Sequence, residues 1–149
     1  MGAAAMTHDE AVAFFRQRQA KWDRRDPAEL TADHAKDGLV RSPMFADVRG
    51  AEAIEASYRK LFTVFPDWTI VFDEPIVDGD RAAHPFTVRA THVGDFMGFP
   101  GTGRKFAFSG ALLYTMRGRS IAEERRVYDF SGLLIQLGVL RSKPAPVRD

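Results

Sequence analysis

The sequence predicts a single α+β domain, and three observations support this fold class. Helical periodicity dominates residues 7–65, alternating apolar residues and turn signals fill residues 68–128, and one short apolar helix follows. Elements in this order favour helices packed on one face of an antiparallel sheet over a parallel βαβ fold. A chain of 149 residues can bury one core without disulfides. We place the domain at residues 7–140, between a disordered leader at 1–6 and a loose tail at 141–149.

Composition and charge exclude several classes of protein. The chain carries 21 Lys and Arg against 20 Asp and Glu, whereas nucleic-acid-binding domains usually show a basic patch. The absence of cysteine excludes disulfides and thiolate chemistry. No apolar run is long enough for a bilayer, and the first residues lack the pattern of a signal peptide. We therefore expect a cytoplasmic protein that binds neither nucleic acid nor membrane.

The first helix is predicted to begin after Thr7 and to end near Pro27. Thr7 and Glu10 form a capping box, and the residue before a proline avoids helical geometry. Apolar spacing defines the face that points to the core. That face comprises Val12, Phe15, Gln19 and Trp22, with Phe14 and Arg18 beside it. A short second helix is predicted over 27–32, because proline suits a first helical turn.

A longer amphipathic helix is predicted over 51–65. Its apolar residues recur at offsets of four, seven, eight and eleven, which is the spacing of a core-facing stripe. These residues are Ile54, Tyr58, Leu61, Phe62 and Phe65. Pro66 stops this helix. Before it, only residues 39–41 read as a strand, which Pro43 ends.

The second half of the chain reads as an antiparallel meander. Strands are predicted at 68–77, 81–93, 105–117 and 121–128. Asp78-Gly79-Asp80 is a hairpin turn signal. Both faces of the third of these strands are fairly apolar, so we expect one face to pack on a second subunit in a homodimer. A final helix over 130–137 ends at Gly138. Helices on one face of a curved sheet leave a blind hollow with apolar walls.

Three stretches of sequence resemble a known family. Residues 65–68 read FPDW, residues 91–100 read THVGDFMGFP before GTGRKF, and the last stretch reads IAEE, then YD, then GLL and QLG. Together they resemble the SnoaL-like polyketide cyclase and hydroxylase group of the nuclear-transport-factor-2-like superfamily, over about residues 8–140. The resemblance implies a cone-shaped, curved antiparallel sheet with N-terminal helices on its concave face, often in dimers or tetramers.

The resemblance also implies a type of chemistry. Such cyclases close polyketide rings by intramolecular aldol addition, with an acidic residue as proton acceptor and without a cofactor. The positions of their catalytic aspartate and histidine correspond to Arg126 and Leu112. Arginine stays protonated and leucine has no proton to transfer. The chain therefore resembles the cyclases in its scaffold but not in its catalytic residues. We expect no cofactor and no metal, because metal-ligand spacings such as H-E-x-x-H are absent.

Glu124, Arg126 and His92 are the candidate catalytic residues. Glu124 and Arg126 lie two apart on a strand and share a face. Glu124 would act as a base while Arg126 holds a substrate carbonyl or carboxylate; the alternative is a structural ion pair. His92 would assist in proton transfer, or would form a structural hydrogen bond at the base of the 94–103 loop. That loop is either a lid or a plain connection.

The candidate ligand-binding residues are apolar or aromatic except for Ser57, and they are Trp22, Ser57, Tyr58, Leu112, Tyr114 and Tyr128. An apolar pocket with few polar groups is the usual form of a small-molecule site, so we expect a small lipophilic ligand. Asp129 is predicted to cap the last helix. His8 and His34 are expected at the surface. Arg89 faces either the pocket or an interface.

Two functions remain open at this point. The first is a cofactor-free acid–base enzyme that cyclises, isomerises or dehydrates a lipophilic carbonyl compound. The second is a module that binds or carries a small ligand without chemistry, which the loss of both cyclase residues favours. Glu124 discriminates between them, because only the enzyme requires its carboxylate for turnover.

Overall fold

The computed structural model describes residues 4–148, which form four helices and seven strands. The helices are α1 (His8–Arg24), α2 (Pro27–Ala32), α3 (Ala51–Val64) and α4 (Phe130–Leu137). The strands are β1 (His34–Ser42), β2 (Ala46–Arg49), β3 (Thr69–Phe72), β4 (Ile76–Asp78), β5 (Arg81–Thr91), β6 (Lys105–Arg117) and β7 (Ser120–Tyr128). Residues 1–3 of the predicted leader and residue 149 of the predicted tail lie outside the described residues. Residues 4–7 and 140–148 form no helix or strand.

The strands form one curved, unclosed sheet in the order β2-β1-β7-β6-β5-β3, and β4 also pairs with β5. β5, β6 and β7 form the predicted antiparallel meander. The N-terminal helices pack on the concave face, so the predicted fold class is confirmed. β1 departs from the meander because it runs parallel to β7. This pairing brings the segment after α2 beside the last strand, where the candidate catalytic residues lie.

β1 is three times as long as the predicted strand at 39–41. The exposed Lys36 and Asp37 and the following Gly38 interrupt the alternation that a strand normally shows. The register against β7 also shifts between His34 and Leu39, which marks a bulge. The short edge strand β2, which pairs only with β1, was not predicted.

The strand predicted at 68–77 is two strands. β3 and β4 both pair with β5, but residues 73–75 leave the ladder between them. Pro75 has no N–H to donate, and the Asp73 N–H reaches the carbonyl of Pro85 at 2.9 Å. The prediction failed here because apolar residues continue on both sides of this break.

The core-facing stripe of α1 differs by one position from the predicted face. Its buried residues are Ala11, Phe15, Arg18 and Trp22. Gln19, which was predicted to face the core, joins α1 to β3 instead. Its side-chain nitrogen donates to the Ile70 carbonyl at 2.8 Å, and its oxygen accepts from the Phe72 N–H at 2.9 Å. An arginine therefore occupies the middle of the buried helical face.

The loop between β5 and β6 is fixed to one end of the core. Phe96 is buried and lies 5.6 Å from the ring of Phe65, the residue that ends α3. The Gly94 N–H donates to the Val64 carbonyl at 3.0 Å, and a side-chain carbon at Gly94 would lie 3.0 Å from the Thr63 carbonyl oxygen. This close approach favours glycine, since any side chain would press against the backbone of α3. These contacts favour the plain connection over the lid.

Candidate active site

A small chamber lies between the helices and the concave face of the sheet. Its walls are almost entirely aromatic and aliphatic, and they are formed by Trp22, Ser42, Met44, Leu61, Trp68, Ile70, Phe86, Phe108, Leu112, Arg126 and Tyr128. The chamber has a volume of about 20 Å³, which is room for about one water molecule. Arg126 is the one charged residue in this wall.

Arg126 forms a buried ion pair with Glu124. Both residues belong to β7, and their spacing of two turns both side chains toward the helices. The Arg126 Nε donates to Glu124 Oε2 at 2.7 Å. The Glu124 side chain is fully buried, and 10% of the Arg126 side chain is exposed. The pair is therefore removed from water. Two charges attract each other more strongly in such a low-dielectric environment than they do in water.

Arg18 places a second guanidinium beside Glu124. Its Nη2 lies 4.0 Å from Glu124 Oε1, and its Nη1 donates to Asp33 Oδ2 at 2.7 Å. Lys21, one turn along α1, reaches both oxygens of Asp33 at 2.9 Å. Helix α1 thus supplies two cations to a cluster whose anions come from β7 and from the residue before β1.

Tyr58 connects this cluster to His34. Its phenol oxygen lies 2.9 Å from His34 Nε2 and accepts from Arg18 Nη2 at 3.3 Å. The Tyr58 and Trp22 rings also face the Arg126 guanidinium, at 5.5 Å and 5.9 Å from its central carbon. Such contacts stabilise a desolvated cation. Both rings therefore help to hold the Arg126 guanidinium in the cluster.

The charges of the cluster set the protonation of its members. Burial alone would raise the pKa of Glu124, but the charges of Arg126, protonated His34 and Arg18 outweigh burial and hold that pKa below its usual value. Burial lowers the pKa of His34 to about 4. Burial, with the nearby Glu124 charge, raises the pKa of Tyr58 to about 12. Near neutral pH Glu124 is therefore ionised, while His34 and Tyr58 are neutral.

One polar atom of each member of the pair has no hydrogen-bond partner. Glu124 Oε1 and Arg126 Nη2 are buried and make no hydrogen bond to the described residues. A buried polar atom without a partner costs about 1–3 kcal/mol. The pair therefore has one unpaired acceptor and one unpaired donor, and of the two residues Arg126 lines the chamber whereas Glu124 does not.

The structure places the predicted site residues in three groups. Glu124 and Arg126 lie together, and Trp22, Leu112 and Tyr128 line the chamber with Arg126. Tyr58 and Tyr114 are buried behind that wall, where Tyr58 contacts Arg18 and Tyr114 packs 4.7 Å from the Phe15 ring. Ser57 and His92 form no part of the chamber wall.

His92 and Ser57 make local structural contacts instead. His92 Nδ1 lies 3.0 Å from the hydroxyl of Thr102, across the loop that follows β5. The His92 ring packs near Phe65 and Phe96, at the end of the core away from Glu124. The Ser57 hydroxyl donates to the Ile54 carbonyl at 2.7 Å, one turn earlier in α3. We therefore assign neither residue to the chemistry proposed below.

Several expectations about single residues change. His34 was expected at the surface but is buried, because β1 begins at His34 and turns it toward Tyr58. Arg89 is exposed on the outer face of β5, opposite the buried Val88 and Ala90. Asp129 caps α4 as predicted, since its side chain accepts from the Gly132 N–H.

Sequence reasoning missed Arg18, Asp33 and Met44 as site residues. Arg18 had a signal, because it lies three residues after Phe15 and four before Trp22, within the core-facing stripe. Asp33 and Met44 had none, since both lie in connections. Among residues 4–148, no group of three or more His, Asp and Glu has the geometry to hold a metal ion. No helix in this range is long and apolar enough to cross a membrane.

One protein family matches most of this chain. The family model of the SnoaL-like polyketide cyclases matches residues 13–137. The chain belongs to this family. No curated protein sequence matches it significantly.

Several solved structures are similar to this chain in shape. AclR from Streptomyces galilaeus, a proposed hydroxylase, is 25% identical with a TM-score of 0.78, covering 93% of this chain and 91% of AclR. IdmH from Streptomyces antibioticus, a proposed polyketide cyclase, is 25% identical with a TM-score of 0.69, covering 85% and 97%. A protein from Catenulispora acidiphila with a ketosteroid isomerase-like fold, solved with trimethylamine, is 20% identical with a TM-score of 0.70, covering 85% and 93%. This last likeness shows the fold alone.

Proposed function

We propose that this SnoaL-like protein is a cofactor-free acid–base enzyme that acts on a lipophilic carbonyl compound in the chamber. One observation carries the proposal. Glu124 is a fully buried carboxylate whose Oε2 is held by Arg126, while its Oε1 makes no hydrogen bond to the described residues. An ionised, desolvated carboxylate with a free oxygen is suited to accept a proton.

The chemistry follows from the two available atoms. Glu124 Oε1 removes a proton from the carbon next to a carbonyl, and the electron pair of that C–H bond moves onto the carbonyl oxygen. Arg126 Nη2 donates to the resulting enolate oxygen, as an oxyanion donor does. If the substrate is a β,γ-unsaturated ketone, the enolate is a conjugated dienolate, and the Glu124 carboxyl then returns the proton to its far carbon as the double bond shifts. Otherwise the carboxyl returns the proton to the alkoxide formed after the enolate carbon attacks a second carbonyl. The first outcome is an isomerisation and the second is a ring closure.

The low pKa of Glu124 limits the range of substrates. The Arg126 and Arg18 charges weaken the carboxylate as a base by lowering its pKa. The same charges stabilise the enolate, because they act where negative charge develops. The site is therefore suited to activated C–H bonds, and the apolar walls suit a lipophilic molecule.

Substrate binding requires the chamber to enlarge. Its volume of about 20 Å³ is far below the roughly 300–1,000 Å³ of ordinary ligand pockets. Met44 is the wall residue best placed to move, because it lies on the turn between β1 and the edge strand β2. Its N–H bonds to the neighbouring Ser42 hydroxyl at 3.1 Å. Methionine is also flexible enough to adopt other rotamers.

Proton abstraction is tested by solvent deuterium exchange. The protein is incubated in D₂O with β-tetralone, an enolisable bicyclic ketone, and label at the α-carbon is followed by NMR. We expect wild-type protein to accelerate exchange, and Glu124→Gln to lose about 100-fold or more of that acceleration. The matched control is Glu123→Gln, the neighbouring residue whose side chain is 40% exposed. Equal acceleration by Glu124→Gln and wild type would remove Glu124 as the base.

A second function is favoured by the lowered pKa of Glu124. A carboxylate neutralised by two arginines is a common structural arrangement, and the protein would then bind or carry a ligand without converting it. In that case β-tetralone raises the melting temperature, while neither wild-type protein nor Glu124→Gln accelerates exchange.

We also propose that the protein is a homodimer that pairs through the outer face of its sheet. This face exposes apolar side chains, including Val127 at 44% and Ile76 at 63%. Sedimentation equilibrium measures the assembly directly. We expect a dimer for wild type and a monomer for Val127→Asp; a wild-type monomer at micromolar concentration would reject the proposal.

A further inference from the structure

We infer that the ligand of the chamber is a planar aromatic monoanion whose charged oxygen binds Arg126. The inference rests on the proposed function, because it assigns the charge and shape of the molecule that the same site accepts. Three observations support it: the balance of buried charge, the available donor atom of Arg126, and the aromatic character of the walls.

The cluster around Glu124 carries an excess positive charge. Its cations are Arg18, Lys21 and Arg126, and its anions are Asp33 and Glu124, which are joined by contacts of 2.7–4.0 Å. Three positive charges against two negative charges leave one positive charge. His34, within hydrogen-bond distance of Tyr58, does not change this balance because its buried ring is neutral. Lys21 is the most exposed member at 23%, so water screens part of the excess charge, and the unscreened part favours one added negative charge.

Arg126 is the cation through which that charge can be balanced. Its Nη2 makes no hydrogen bond to the described residues, and its side chain is nine-tenths buried and lines the chamber. A neutral carbonyl would satisfy this N–H donor but would leave the excess charge. An anionic oxygen satisfies both requirements, and charge-assisted hydrogen bonds are about twice as strong as neutral ones.

The chamber walls favour a flat molecule. Five aromatic residues line the chamber, namely Trp22, Trp68, Phe86, Phe108 and Tyr128. The Trp22 and Tyr58 ring centroids lie 5.9 Å and 5.5 Å from the central carbon of the Arg126 guanidinium. A ligand that reaches Arg126 Nη2 therefore lies beside aromatic rings. A planar aromatic ring offers a face and an edge to pack against such rings.

Calorimetric titration of three matched compounds tests charge and shape separately. β-Naphthoate is flat and anionic, β-naphthamide is flat and neutral, and decalin-2-carboxylate is anionic but not flat. Each is titrated into wild-type protein and into Met44→Ala, in which the chamber is already larger. We expect β-naphthoate to bind both proteins about tenfold or more tightly than either other compound.

A charge variant outside the chamber wall provides the second measurement. Lys21 is 23% exposed and belongs to the cluster through Asp33. Lys21→Gln removes the excess charge, so we expect it to weaken β-naphthoate several-fold and to leave β-naphthamide unchanged. Lys60→Gln, an exposed lysine of α3, makes the same change in net charge and is expected to alter neither affinity.

Three results would overturn the inference. The first is equal affinity for β-naphthoate and β-naphthamide. The second is an equal effect of Lys21→Gln and Lys60→Gln on the affinity for β-naphthoate. The third is that neither wild type nor Met44→Ala binds β-naphthoate. The proposed function is judged independently by deuterium exchange. If exchange still depends on Glu124 while β-naphthoate has no advantage, the acid–base function stands and only the charge of the ligand is wrong.

Discussion

At the scale of single residues, Glu124 and Arg126 depend on each other for their burial. Each charge alone would lose its hydration without compensation, and the 2.7 Å contact offsets part of that cost. Arg18 supplies a second charge 4.0 Å from Glu124. Replacing one member of the pair is therefore expected to lower the free energy of unfolding more than replacing both.

Arg126→Met is expected to lower the free energy of unfolding by about 3 kcal/mol, because it leaves a buried carboxylate with one weaker partner. Adding Glu124→Gln to Arg126→Met is expected to restore most of this loss, since the remaining side chain is neutral. Urea denaturation of wild type, both single variants and the double variant measures the coupling. Additive losses in the double variant would show that the two side chains do not interact energetically.

His34 predicts a loss of stability in mild acid. Its pKa is about 4 in the folded protein against an ordinary value of 6.5, so the unfolded chain binds more protons between these values. The contribution of neutral His34 to the free energy of unfolding is therefore fully present above pH 6.5. It falls as the pH drops toward 4 and changes no further below that pH. Linkage gives a loss of about 3 kcal/mol across this window.

His34→Gln is expected to reduce that acid loss, because glutamine can still reach Tyr58 but does not gain a proton. His8→Gln, at the exposed start of α1, is the matched control and should leave the loss unchanged. Urea denaturation at pH 7.0, 6.0, 5.0 and 4.5 provides the comparison. The explanation fails if His34→Gln and wild type lose stability in parallel.

The sequence predicted only part of the site at this scale. The alternation of β7 was sufficient to place Glu124 and Arg126 on one face. Arg18 was read as lying beside the core face of α1, because its partners lie far along the chain at Asp33 and Glu124. His34 was misplaced for a similar reason, since the start of a strand paired with β7 turns it inward.

At the scale of elements, the turn at 43–45 determines whether the chamber can open. It connects the end of β1 to β2, an edge strand of four residues. Most of the other wall residues lie on helices or on strands that are paired along their length. Met44 is 8% exposed, so its side chain occupies space beside the chamber rather than solvent.

Met44→Ala is expected to lower the free energy of unfolding by about 2 kcal/mol, as buried methionine-to-alanine changes do. The same variant should bind β-tetralone more tightly, because the ligand no longer has to displace the methionine. Met97→Ala, a methionine that is 55% exposed in the β5–β6 loop, is the control for both measurements. Unchanged ligand affinity in Met44→Ala would place the opening elsewhere in the wall.

Prediction of elements succeeded where local patterns are strong and failed where pairing is distant. The hairpins of β5, β6 and β7 follow from alternation and turn residues. The length of β1 does not, because Lys36-Asp37-Gly38 interrupts its alternation and its partner β7 is more than 80 residues away. The break between β3 and β4 depends on Pro75 within an otherwise strand-like segment.

At the scale of the whole molecule, the parallel pairing of β1 with β7 assembles the site. It brings His34 and Asp33 beside the strand that carries Glu124, while α1 and α3 cover the same region with Arg18 and Tyr58. The family and the fold class could be predicted from sequence. The chamber volume could not, because it depends on how side chains from seven elements and two connections pack together.

The most direct test of the account is whether an aromatic ligand enters the chamber. Intermolecular nuclear Overhauser effects between β-tetralone and methyl-labelled protein measure this contact. We expect effects from the ligand ring protons to the methyl groups of Leu112, Leu61 and Met44, which line the chamber. Effects confined to exposed methyl groups of the sheet, such as Val127 and Val71, would contradict the account, as would the absence of any effect at millimolar ligand.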